Sequence, residues 1–327
     1  VTAAEDAAGG EGGRVAVERA LVWLGGRVLD AAAARVPVED RGFLLGDGLF
    51  ETMRARGGVV FRLADHLARL RTGADRLGLA VPDLAERAVA DVVAAFVEAA
   101  GGRRGRGLEA DDVRAAAARR DGRGTDAGDA AVRLTLTRGP AGPGFEPRAD
   151  VEPTLAVSAR ALRIAPPASL SLRTSTHRLS THSIVAGLKA LGYLPNLLAR
   201  AEARAAGADD ALLLDERGRV AETSAANLFW FSRDGSLRTP ATSCPILPGI
   251  TRAAVLELAR RRGVAVEEDR WEASELAAAE EAFATASLRG VVPVTALDGA
   301  PIGSGRPGPR TRELAAAYET LVRAETS

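Results

Sequence analysis

The sequence predicts a mixed α/β (α+β) chain divided into two domains, and three observations carry this. At 327 residues the chain is longer than one average domain, which favours two domains or one large one. Apolar runs at helical spacing are interspersed with short strand-like runs bounded by Gly, Pro and Asp. Ile164-Ala165-Pro166-Pro167 is the best linker, so 161–167 is expected to separate an N-terminal domain, 15–160, from a C-terminal domain, 168–327.

Taken in order, 1–14 is expected to be a flexible tail. Residues 15–29 are apolar and strand-like, with Gly25-Gly26 as a turn signal. Gly46 and Gly48 lead into Leu49-Phe50-Glu51-Thr52-Met53, and Gly57-Gly58 suggests a hairpin into Val59, Val60 and Phe61. Leu63, Leu67, Leu70, Ala74 and Leu77 recur at helical spacing, which predicts an amphipathic helix over 64–79. A second helix is expected over 82–100, its start set by Pro82 and Asp83. The stretch 101–129 is rich in Gly, Arg and Asp and reads as a flexible, solvated insertion. Its Arg103, Arg104 and Arg106 stand near Asp111 and Asp112, which favours a mixed loop over a nucleic-acid contact. Residues 132–137 alternate as a strand, and 155–157 form another. Beyond the linker come a helix at 195–206, a strand at 211–214, a turn at 215–219 and a strand at 228–231. Asp234-Gly235 is a hairpin signal, and a helix over 250–262 is closed by Gly263.

Basic and acidic residues number 43 each, which argues against a nucleic-acid binder on overall charge. Cys244 is the single cysteine, so neither an intrachain disulfide nor a cysteine-based zinc site can form, and no metal is expected. No apolar run reaches about 18 residues, so a transmembrane helix is not expected. Residues 1–13 have no apolar signal core, and the protein is expected to be soluble and cytoplasmic.

The basic residues themselves are informative. Lys189 is the one lysine; every other basic residue is arginine. Glutamine is absent, and asparagine occurs twice, at Asn196 and Asn227. Such bias replaces lysine by arginine wherever either serves. A guanidinium stays protonated at any working pH, whereas an amine can lose its proton and form a Schiff base. Lys189 is therefore a candidate nucleophilic amine.

Lys189 lies in Ala186-Gly187-Leu188-Lys189-Ala190-Leu191-Gly192-Tyr193, where small residues would let a cofactor approach the chain. If this stretch turns helically, Lys189 and Tyr193 share a face. Glu222 stands in an uncharged, small-residue run between two expected strands; taken alone, it reads as a surface-loop glutamate. A buried carboxylate there would need a partner, and a pyridinium nitrogen would be one. Leu247-Pro248-Gly249-Ile250-Thr251-Arg252 opens a helix whose N–H groups and dipole suit a phosphate. Thr285-Ala286-Ser287 is a second small, hydroxylated loop.

In this order the motifs resemble the class IV aminotransferases, pyridoxal-phosphate enzymes of fold type IV. The resemblance runs over about 21–321 and rests on Asp40 through Thr52, His66-Leu67-Ala68-Arg69-Leu70, Gly187-Leu188-Lys189, Glu222 through Phe229, Leu247 through Arg252, and Val292-Pro293-Val294. It implies a smaller N-terminal α/β domain and a larger C-terminal one, with pyridoxal 5'-phosphate between them, and a homodimer. It also implies roles. Lys189 would carry the cofactor and shuttle protons, and Glu222 would pair with the pyridine nitrogen. Arg69 would bind the phosphate, helped by Ile250, Thr251, Thr285 and Ser287. Tyr193 would reach a cofactor oxygen, Phe50 would face the substrate, and Arg133 and Arg138 would take substrate carboxylates. His66 reads as structural.

Within the family, D-amino acid transaminases carry a Tyr, Arg and His carboxylate trap where this chain has Phe50, Pro143 and Phe145. Branched-chain aminotransferases share Arg133 but usually have one more residue between the lysine and the tyrosine. Ala186-Gly187-x-Lys189, the 225–230 run and Arg138-Gly139 are closer to aminodeoxychorismate lyase. That reading implies 4-aminobenzoate and pyruvate as products, a step of folate biosynthesis. The alternative is a transaminase of branched-chain or related amino acids with a 2-oxo acid acceptor. A binding protein that has lost its cofactor is the remaining reading, and the retained Lys189 and Glu222 argue against it.

Overall fold

The structure, a computed structural model, describes residues 20–100, 130–142, 144–146, 148, 150–162 and 167–327. The expected tail (1–14), the insertion (101–129), Pro143 and most of the expected linker (163–166) lie outside these residues.

The first part of the chain builds a six-stranded antiparallel sheet of order β2-β1-β6-β5-β3-β4. Its strands are β1 (Leu21–Leu24), β2 (Arg27–Asp30), β3 (Gly48–Arg56), β4 (Val59–Val60), β5 (Ala130–Thr137) and β6 (Thr154–Ala161). A short helix, α1 (Arg41–Leu45), precedes β3, and the two long helices are α2 (Leu63–Leu77) and α3 (Ala85–Ala100). Strand alternation sorts the side chains by face. Leu49, Met53 and Ala55 of β3 and Val132, Leu134 and Leu136 of β5 pack with Leu67, Leu70 and Ala74 of α2 and Val89, Val92 and Val93 of α3. The intervening Phe50, Thr52 and Arg133 line a cavity instead, and Thr52 stands in register with Arg133.

Helix α2 ends at Leu77 because Gly78, at φ 58°, adopts the left-handed conformation and bonds back to Ala74 and Asp75. The second helix begins at Ala85, three residues later than expected; 82–84 form a turn that Ala85 N–H closes on Pro82 O.

The rest of the chain builds a nine-stranded sheet. Its strands are β7 (Leu170–Leu179), β8 (Asp210–Asp215), β9 (Val220–Thr223), β10 (Asn227–Phe231), β11 (Leu237–Pro240), β12 (Val266–Asp269), β13 (Glu281–Ala286), β14 (Gly290–Leu297) and β15 (Ala300–Pro301). Helices α4 (Leu194–Ala205), α5 (Ile250–Arg261), α6 (Ala273–Ala277) and α7 (Pro309–Glu325) accompany it. The order β10-β13-β14-β7-β8-β9 closes on itself through the β9–β10 pairing, giving a ring of six strands. Leu172, Leu212, Leu228, Trp230, Ala282 and Val294 fill one side of this wall. Phe229, Phe231 and Phe283 point to the other, where Val255 and Leu258 of α5 and Leu314, Tyr318 and Val322 of α7 cover them.

The two sheets meet at definite contacts. Phe61 packs edge-on against Tyr318, with ring centroids 5.7 Å apart. Arg62 makes a two-pronged ion pair with Glu257, both bonds 2.8 Å. Strand β3 pairs with the Lys189 segment: Phe50 N–H donates to Lys189 O at 2.9 Å and Leu191 N–H to Gly48 O at 3.0 Å. This pairing excludes the helical turn weighed for that stretch. Lys189 is in extended chain bridged to β3, and the helix begins only at Leu194. Among the described residues no helix is long and apolar enough to cross a membrane.

Candidate active site

A cavity of about 480 Å³ opens beside the β3–Lys189 pairing. Its walls come from the open face of β3 and β5, the segment leading into α4, the β9–β10 turn, the N-terminus of α5 and the β13–β14 turn. Lys189, Tyr193, Glu222, Arg69, Ile250, Thr251, Thr285, Ser287, Phe50 and Arg133 all line it.

Lys189 points its ammonium nitrogen at this space, 4.4 Å from the Phe50 ring centroid and 5.9 Å from that of Tyr193. Burial and then the Arg69 charge pull its pKa down to about 8, so a useful fraction is a free amine near neutrality. Burial pushes Glu222 up to about 7. Against that, Leu247 N–H and Asn227 Nδ2 donate to Glu222 Oε2, each at 3.1 Å. Burial, with the Glu222 charge, lifts Tyr193 to about 12, which keeps its hydroxyl protonated.

Arg69 is held at two points. Its Nε and Nη2 bond Glu51 at 2.8 and 2.6 Å, and its Nη1 bonds Pro248 O at 2.8 Å. Burial alone would raise Glu51, but hydrogen bonds from His66 and Arg69 hold it at about 2. Burial also lowers His66, so the imidazole is neutral at pH 7 and its Nδ1–H donates to Glu51, 2.7 Å away. The expected structural role of His66 agrees with this geometry.

The N-terminus of α5 has Gly249 as its N-cap and no capping side chain, which leaves its first-turn N–H groups to an anion. Thr251 Oγ1 lies 3.4 Å from the Tyr318 hydroxyl. Thr285 Oγ1 is buried and has no hydrogen-bond partner among the described residues. An orphan hydroxyl and an uncapped helix end on one cavity, with an amine of lowered pKa and a carboxyl of raised pKa, suit pyridoxal phosphate. They supply donors for its phosphate, a nucleophile for its aldehyde and an acid for its ring nitrogen.

Arg138 is a correction. It does not line the cavity. Its Nε and Nη2 bond Asp47 at 2.8 and 3.2 Å, and its Nη2 and Nη1 bond the carbonyls of Leu77 and Gly78 at 2.8 and 3.1 Å. A guanidinium so occupied ties the end of α2 to the β3 approach. Phe145, which stands where the D-amino acid transaminases carry a residue of their carboxylate trap, is 95% exposed and off the cavity.

Other groups emerge only here. Glu51 orients Arg69, and Asn227 holds Glu222 and the Leu247 carbonyl, the latter at 2.8 Å. Asn196, on α4, donates to Ser224 O at 2.9 Å in the turn between β9 and β10. Glu222 thus lies in strand β9 rather than in a surface loop; both asparagines of a chain poor in amides support the β9–β10 hairpin that carries it, and their scarcity was the available signal. Thr52, Arg200, Asp210 and Arg289 also line the cavity. Among the described residues no cluster of His, Cys, Asp and Glu is arranged to hold a metal ion.

The family model for amino-transferase class IV matches residues 48–297. A putative branched-chain-amino-acid aminotransferase of Methanocaldococcus jannaschii is 33% identical over 92% of this chain and 96% of its own. A D-alanine aminotransferase of Bacillus licheniformis is 30% identical over 94% and 98%. The Escherichia coli branched-chain amino acid aminotransferase superposes with a TM-score of 0.78, at 28% identity over 95% of this chain and 96% of that one. A T.th. branched-chain amino acid aminotransferase complexed with N-(5'-phosphopyridoxyl)-L-glutamate also scores 0.78, at 28% identity over 94% and 95%. The chain belongs to the class IV aminotransferase family and is a pyridoxal-phosphate-dependent enzyme.

Proposed function

We propose that the protein is a transaminase that moves an amino group from a branched-chain or related amino acid to a 2-oxo acid. The observation that carries this reading is the cavity wall facing Lys189. Phe50 presents an apolar surface there, and the Arg133 guanidinium lies 3.9 Å from its ring centroid. An apolar wall beside one cation suits an amino acid with a hydrocarbon side chain and a carboxylate. The relatives named above are aminotransferases, and this supports amine transfer over the lyase reading that the sequence favoured. Arg138, a carboxylate candidate for either activity, is occupied by Asp47, which leaves Arg133 for that role.

Pyridoxal phosphate, when bound, supplies an aldehyde carbon and an electron-withdrawing ring. Arg69, the first-turn N–H groups of Ile250 and Thr251, and the hydroxyls of Thr285 and Ser287 would hold its phosphate. Glu222 would face the ring nitrogen and Tyr193 a ring oxygen. Lys189 Nζ, neutral in part at working pH, takes the proton from the amine-bearing carbon of the substrate and holds it for redelivery. Arg133 orients the substrate carboxylate.

We read the two sheets as the cores of two domains with this site between them, and the active species as a homodimer. Ile184, Leu194, Leu197 and Leu198 are exposed, the last three on one face of α4, and burying such a patch is what a second copy achieves. A Leu194→Arg/Leu198→Arg double variant is expected to elute as a monomer in light-scattering chromatography.

The function is tested by incubating the loaded enzyme with L-leucine and 2-oxoglutarate and following glutamate. Catalytic transfer that disappears in Lys189→Ala supports the proposal. Pyruvate release from aminodeoxychorismate without transfer from any amino acid would replace it by the lyase.

A further inference from the structure

Two cavity cations are not used by the reading above. Arg200 projects from α4 and Arg289 from the turn joining β13 and β14, and both line the cavity with Leu170, Asp210 and Val292. Among the described residues neither guanidinium makes a hydrogen bond, and neither has a carboxylate oxygen within 4.0 Å. Arg204 stands one turn from Arg200 on the same helix. Arg289 is pushed below its ordinary value, first by burial and then by the charges of Arg200 and Arg204. Among the described residues the carboxylate whose charge opposes this lowering is Asp210, which makes no ion pair with either arginine; its Oδ1 accepts from the Ser224 hydroxyl and, at 2.8 Å, from Ala211 N–H.

Like charges gathered at a partly desolvated wall cost free energy unless an anion joins them. Guanidinium groups recognise carboxylates by paired, charge-assisted hydrogen bonds. Leu170 and Val292 add an apolar surface beside them that fits methylene groups rather than a second charge. Arg133 lies on the other sheet, so the cavity presents cations from two separate walls.

We infer that Arg200 and Arg289 form a second anionic subsite, which takes the far carboxylate of a dicarboxylate amino donor or oxo-acid acceptor while Arg133 takes the near one. This rests on the transaminase reading, so its test uses binding without turnover. Glutarate, a dicarboxylate, and 4-methylvalerate, a monocarboxylate, are titrated calorimetrically into the cofactor-loaded wild type and the Arg200→Met and Arg289→Met variants. Circular dichroism checks the fold, and cofactor affinity is measured by absorbance in each.

The expected result is glutarate binding weakened about tenfold or more in both variants, with 4-methylvalerate and the cofactor within about twofold of wild type. Arg289→Lys is expected to recover part of the loss. Unchanged glutarate affinity overturns the inference, as does an equal loss for both acids. Weakened cofactor binding overturns it too, because it would assign the cations to the phosphate. The amine-transfer assay fails or succeeds independently of these titrations, so the two readings are separable.

Discussion

At the scale of single residues, the site depends on how its charges are paired. Glu51 is held ionised by His66 and Arg69, with its pKa lowered from 4.5 to about 2. A depressed acid contributes stability that is complete above its unfolded value and lost as the pH falls through its folded one. The wild type's advantage over Glu51→Gln is therefore expected to be full at neutral pH, about 3 kcal/mol, and to shrink as the pH falls from 4.5 towards 2. Denaturant titrations at several pH values measure this. Asn227→Ala removes a donor from Glu222, so the carboxyl is expected to ionise at a pH above the present value of about 7. Cofactor affinity is expected to fall about tenfold, read by absorbance titration over a pH series. Lys189 was legible in the sequence because only an amine can do its chemistry, and it survived where arginine had replaced every other lysine. Glu51 was not, because a carboxylate in a strand has no evident partner until α2 packs over it.

At the scale of elements, the N-terminus of α5 is the most constrained part of the site. A Cβ added at Gly249 would lie 2.1 Å from Asn227 Oδ1. Gly249→Ala is expected to push Asn227 off Glu222 and shift the helix end, weakening cofactor binding about tenfold while far-ultraviolet circular dichroism stays unchanged. Equal cofactor affinity in the variant would show that the helix end does not hold the phosphate. Helix and strand positions followed from apolar spacing: 64–79 was expected and Leu63–Leu77 is found, 228–231 was expected and Asn227–Phe231 is found. The Lys189 segment does not turn helically because Ala190 pairs with Leu49, a partner far off in sequence, and that bridge overrides local helical spacing. Tyr193 still arrives near Lys189, but through the turn before α4.

At the scale of the whole molecule, the cavity exists because two sheets are docked. Phe61 is the apolar tie, buried against Tyr318, while Arg62 adds its ion pairs with Glu257 and Glu325. Phe61→Ala is expected to cost about 3–5 kcal/mol by leaving a cavity in this contact. Arg62→Ala is expected to cost about 1 kcal/mol, since Glu257 and Glu325 are partly solvated. Urea unfolding of the two variants gives both numbers, and an equal loss would mean that the ion pairs hold the sheets together as strongly as the aromatic contact does.

The cofactor chemistry and the family are written in the chain itself, because an irreplaceable lysine, a phosphate-suited helix start and ordered short motifs are local features. Most elements are legible for the same reason, since apolar periodicity runs along the chain. Which charges are free to act depends on the fold. Arg133 and Arg138 looked alike in sequence, five residues apart on one run. Folding leaves Arg133 open to the cavity and places Asp47 and the end of α2 around Arg138. A guanidinium's use depends on which acceptors surround it, and those acceptors come from elsewhere in the chain.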